Sequence, residues 1–193
     1  MQTRKISAIV VFLIAGFGQM CLAQKPPDPA TLLKQLKVPE TTDQAAEQLS
    51  NLGKVSARTR RYLARHLPAM IENDTNNYVP WANAVRLAGE LKLVEAVPAL
   101  ARWISARPGG TVSLGGEERL EYNPAAKALA QIGDPAVPTL LGVLEHGNLK
   151  ERQVAVKALK LIASPAAKNA LQRHVDQEAD SDLRSSIQEI LAK

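Results

Sequence analysis

The chain has 193 residues, a formal net charge of +5, 4% aromatic residues and one cysteine. So mild a positive charge gives no footprint for nucleic acid. Ala and Leu, both strong helix formers, are abundant, and Val and Ile nowhere alternate with polar residues over a useful length, so the expected fold is all-α.

Residues 1–23 read as a signal peptide. Arg4 and Lys5 precede an apolar run from Ile6 to Phe17, and Cys21-Leu22-Ala23 places small residues before a cut. The run is shorter than the ~20 residues of a membrane span, so the pattern predicts export to the periplasm or beyond, with no stable membrane insertion. Lipidation at Cys21 is disfavoured, because Gly18-Gln19-Met20 does not suit that cut. Removal of the segment takes away the only thiol and lowers the charge to +3. Disulfides, thiolate metal sites and a Cys nucleophile are then excluded. Residues 24–41 follow as a linker and a capping helix, with Asp28-Pro29 opening a helix that runs to Val38.

Residues 42–179 contain four similar segments, starting at Ala45, Val85, Ala126 and Val156. In each, apolar residues at helical spacing lead to a turn and then to a second apolar helix. Matching Leu49, Ala88, Leu129 and Leu159 gives steps of 39, 41 and 30 residues. Periods of this size predict stacked helical pairs that bury their apolar stripes against their neighbours.

The first segment carries a basic run. Lys54, Arg58, Arg61 and Arg65 recur at intervals of four, three and four, which places them on one face of a continuous helix. Arg60 adds a cation, and no acid lies between residues 48 and 71. Such a face is either merely solvated or a patch for acidic groups on a partner. Trp81, just before the second segment, and Trp103, within it, could be surface anchors, but each lies within an apolar helical pattern and is expected in the core or in packing between repeats.

Residues 107–123 form an insertion before the third segment. Gly110 and Gly115 have phosphate-loop spacing, but Gly116 and Glu117 stand where Lys and a hydroxyl are needed. Ser113 misses the serine elbow by one residue. The stretch fits a short hairpin: Thr111 to Leu114, a Gly115-Gly116 turn, then Glu118 to Tyr122. A loop of this length on a rigid scaffold is a candidate binding rim, through Glu117, Glu118 and Arg119.

In the third segment Gly133-Asp134-Pro135 supplies a helix stop, an N-cap and a first-turn proline. Pro98 and Pro138 fall in the first turns of their helices. Asn148 followed by Glu151 has the form of a capping box, and Ser164-Pro165 starts the last paired helix. The acids Asp176, Glu178, Asp180 and Asp182 alternate like a calcium loop, but Ser181 and Ile187 occupy its glycine and bidentate-carboxylate positions. They are expected to cap a final helix within residues 180–193, running from Asp180 to Ala192. His66, His146 and His174 form no metal-binding pair, and no cofactor is expected.

At IGDPAVPTLL and LVEAVPALARWI the chain resembles HEAT-repeat proteins of the kind named for phycobilisome-lyase repeats. The resemblance implies a right-handed α-solenoid of about four helical hairpins with terminal capping helices. It also implies a non-enzymatic scaffold that binds a protein or peptide on its concave face, with the second helix of repeat one lining that face. The basic run makes that partner acidic. Two alternatives share these residues: attachment to envelope polyanions through the basic run, and an enzyme or accessory subunit using Glu117, Glu118 or Glu121 of the loop.

Overall fold

The computed structural model describes residues 27–73, 77–105 and 123–192. The targeting segment and most of the insertion, with its expected hairpin, lie outside the described residues. Among those described, every regular element is a helix.

A short helix α1 (Pro29–Leu36) precedes four hairpins. They are α2 (Thr42–Val55) with α3 (Ala57–Asn73), α4 (Tyr78–Glu90) with α5 (Val97–Arg102), α6 (Pro124–Ile132) with α7 (Val137–His146), and α8 (Leu149–Ile162) with α9 (Pro165–Val175). Helix α10 (Ser181–Leu191) packs on α8 and α9, and α1 packs on α2. Each first helix lies against the next first helix, α2 on α4, α4 on α6 and α6 on α8. The second helices do the same, α3 on α5, α5 on α7 and α7 on α9. The result is a two-layered α-solenoid whose ends are covered by α1 and α10.

Residue size explains the layering. The buried faces of the first helices are rich in alanine, including Ala45, Ala46, Ala84, Ala88, Ala125, Ala126, Ala155 and Ala158, so their backbones approach closely. Larger side chains such as Leu63, Leu67, Leu100, Leu140, Leu144 and Leu171 fill the space from the second layer. The tightest approach is α4 to α6 at Gly89, where an added Cβ would lie 2.9 Å from Ala128 Cα. Leu49, Ala88, Leu129 and Leu159, matched from sequence, are all buried in the first-helix layer.

The turns repeat as well. Lys92, Gly133 and Ala163 have φ of 51°, 85° and 53°, and each lies four residues after its matched position. All three turns thus use a positive φ, but they are not identical: Ala163 is left-handed at ψ 22°, whereas Gly133 has ψ −141°. Asp134 and Pro135 differ from expectation: they start a 3-10 turn, Asp134–Ala136, ahead of α7, and Asp134 caps no α-helix. Val94–Ala96 plays the same part before α5. The first repeat has no left-handed turn; Ser56, in extended geometry, separates α2 from α3.

Several predicted ends are observed. The capping box of Asn148 and Glu151 forms in both directions, Ser164 Oγ accepts from the Ala167 N–H, and Asp180 accepts from the Leu183 N–H. Asp28 occupies the N-cap of α1 without a side-chain hydrogen bond. Trp81 is fully buried, and its Nε1–H donates to the Ile71 carbonyl at 3.1 Å. That carbonyl lies in the last turn of α3, where no intrahelical donor remains. Trp103 stands edge-on to Trp81 with ring centroids 6.3 Å apart. Both tryptophans thus serve inter-helix packing.

Candidate functional site

The basic run is divided by the break at Ser56. Lys54 belongs to the last turn of α2, while Arg58, Arg61 and Arg65 lie on α3. The expected single helical face from Lys54 to Arg65 therefore does not exist. Ser56 stops α2 and starts the next helix, with its Oγ accepting the Thr59 N–H at 3.2 Å. Lys54 is electrostatically engaged with Glu90 of α4. Burial alone would raise the Glu90 carboxyl, but hydrogen bonds from Ser50 and Arg86, with the charges of Arg86 and Lys54, leave it lowered. Ser50 donates to Glu90 at 2.7 Å and Arg86 at 2.6 Å, joining α2 to α4.

The remaining arginines are different. Arg58, Arg61 and Arg65 are exposed on α3 and make no ion pair or side-chain hydrogen bond among the described residues. Arg60 turns back, donating to the Gly53 carbonyl at 3.3 Å. The first acid after them on α3 is Glu72, which lies 3.6 Å from Arg102 of α5. Three cations thus form a line on one helix with no counter-charge supplied by that helix until its last turn.

A groove of about 850 Å³ adjoins this line at the end of the stack. It lies between the start of α1 and the α2–α3 corner, with Pro27, Pro29, Leu52 and Tyr62 as apolar wall and Arg58 as a shared member. Among the described residues Asp28 contributes the groove's one carboxylate. Tyr62 packs against His66 with ring centroids 4.3 Å apart and planes tilted by 46°.

The loop residues proposed for a binding rim, Glu117, Glu118 and Arg119, lie outside the described residues. So does Glu121. Asn123, at the end of the insertion, is fully buried.

Sequence reasoning missed a polar cluster at the other end. Glu178 is buried and accepts from Arg152 Nη2 at 2.8 Å and Nε at 3.0 Å, from His174 Nε2 at 2.9 Å, and from the Asp180 N–H at 2.9 Å. Arg184 donates to the Glu178 carbonyl. One carboxylate therefore ties α8, α9 and the entry to α10 together. Burial would raise its pKa, but the hydrogen bonds from Arg152, Asp180 and His174 hold it down to about 2. With Glu178 ionised, the hydrogen lies on His174 Nε2 and Nδ1 is left without a partner. Two of the four acids in residues 176–182 are thus engaged in folding: Glu178 points inward and Asp180 caps α10. Among the described residues no group of three His, Cys, Asp or Glu side chains is placed to hold a metal ion. Nor is any described helix long and apolar enough to cross a membrane.

Residues 123–192 match the family model for HEAT repeats. No curated protein and no solved structure matches the chain. The matched region spans α6 to α10, and the helix pairing it contains continues through α2 to α5.

Proposed function

We propose that this chain, whose residues 123–192 match the family model for HEAT repeats, repeats that generally act as protein-interaction scaffolds, is an exported, non-enzymatic scaffold for an acidic protein segment. The observation that carries this reading is the line Arg58, Arg61 and Arg65, exposed on α3 and in no ion pair among the described residues. Export is supported by the charged, apolar and small-residue order of residues 1–23. Like charges at i, i+3 and i, i+4 on a helix are mildly unfavourable, so this pattern works against helix stability. An acidic ligand would relieve that repulsion.

The test is binding of a fluorescent acidic peptide to wild type and to the triple variant Arg58→Glu, Arg61→Glu, Arg65→Glu. Loss of binding with unchanged helical circular dichroism is expected; equal binding would remove α3 from the site. Polyanion attachment uses the same arginines and differs in salt response. Binding that rests on charge alone collapses as ionic strength rises past ~0.1 M, because screening then acts within about 10 Å. A packed protein contact keeps its apolar part. Export is checked by fractionation and N-terminal sequencing, with a start at Gln24 expected.

A further inference from the structure

The groove at the α1 end gives the basic line a polarity that a solvated face would not have. Arg58 belongs to both features: it is the first cation of the line and part of the groove wall. The rest of the wall is largely apolar, with Tyr62 one turn along α3 from Arg58 and Leu52, Pro27 and Pro29 opposite. We infer that the partner is held as an extended acidic peptide that lies along α3 and ends with an apolar side chain in this end groove.

This rests on the reading that the α3 arginines bind an acidic protein segment, and it adds position and sequence pattern. Helical rise puts Arg58 and Arg65 about 10 Å apart along the axis. An extended chain covers that distance in roughly three residues. The matching ligand therefore carries two or three carboxylates within about four residues, with the apolar residue adjoining them. Asp28 sets the order: a carboxylate in the groove would meet it, so the acids stay over α3 and the uncharged side chain takes the groove. The site lies at the edge of the stack, where α1 meets the first hairpin, rather than along the middle repeats.

The experiment compares three labelled peptides by fluorescence anisotropy with the purified protein: six glutamates, and the same peptide with a leucine added at either end. One leucine peptide should bind about tenfold tighter than hexaglutamate, since burying much of a leucine side chain is of that order. Ala30→Trp, which fills the groove from α1, should erase that gain and leave hexaglutamate binding intact. Nuclear Overhauser contacts between the leucine methyls and the Tyr62 ring give a readout independent of the variant. Equal affinity for all three peptides, or a gain that survives Ala30→Trp, overturns the groove while sparing the arginine line. Failure of hexaglutamate and both leucine peptides alike removes the line as well. A concentration-dependent dimer abolished by Ala30→Trp and unaffected by the peptides would assign the groove to a second copy, and so overturn the peptide.

Discussion

Glu178→Gln tests whether the end of the stack is held electrostatically. The substitution keeps size and shape but places an uncharged amide among four donors, two from Arg152 and one each from His174 and Asp180. At least one donor then faces the Gln N–H₂ group or nothing. A carboxyl held at about 2 against an ordinary 4.5 corresponds to about 3 kcal/mol in favour of the folded state at neutral pH. Breaking a buried ion pair from one side costs about 3–5 kcal/mol, so two independent routes agree. The sign follows from the lowered value. The contribution is complete above 4.5 and disappears as pH falls through about 2, because the native carboxylate must then be protonated. The variant lacks it at every pH. Thermal and urea unfolding followed by circular dichroism should therefore show a deficit of about 3 kcal/mol at pH 7, equivalent to roughly 6–12 °C in Tm. Below pH 4.5 the deficit should shrink. Repeat arrays can lose an end locally, so hydrogen exchange on α9 and α10 belongs in the same experiment, and those amides should lose protection first. A deficit under ~1 kcal/mol at pH 7, or one equally large at pH 3, would refute the reasoning, provided α10 also keeps its protection.

Three further substitutions probe the repeat itself. Ala163→Gly should stabilise by about 0.5–1 kcal/mol in urea unfolding, because Ala163 sits at φ 53° and ψ 22°, where a Cβ is strained; any destabilisation would show that the strain is absent. Gly89→Ala should destabilise by about 1–3 kcal/mol despite better helix propensity, since its Cβ would press on Ala128 Cα and the Gln131 side chain and force α4 from α6. A more stable variant would mean that these helices separate freely. Arg61→Glu should raise the melting temperature slightly, by a few tenths of a kcal/mol, as it exchanges repulsion with Arg58 and Arg65 for attraction. A fall in stability would show that Arg61 has a structural partner.

What could be read in the sequence was whatever local chemistry decides. The alanine-rich first helices, the prolines at Pro29, Pro98, Pro124, Pro138 and Pro165, and the Asn148 box each act within one turn, and each stands where its neighbours alone would place it. The break at Ser56 is also local, yet it was hidden, because Val55, Ala57 and Arg58 continue the helical text and no Gly or Pro marks the stop. The signal was Ser56 itself, which accepts from Thr59 three residues on, as an N-cap does. Reading it would have separated Lys54 from the arginines. Pro68 shows the converse: α3 runs through a proline, because Leu67, Met70 and Ile71 are buried around it and tertiary packing outweighs the lost N–H bond. The groove and the Glu178 cluster are of another kind. Glu178 meets Arg152 across 26 residues of chain, and the groove needs α1 folded onto the α2–α3 corner. Periodicity does not reveal which of four alternating acids turns inward. His174 four residues before Glu178 was the only cue in the text, and it acquires meaning only once α9 is known to bury that face. The two ends of the solenoid therefore differ in design. At one end an internal cation, Arg152, satisfies the buried carboxylate of Glu178; at the other, Arg58, Arg61 and Arg65 remain exposed on α3 with no ion pair among the described residues, which is why the proposed acidic partner is assigned to that end.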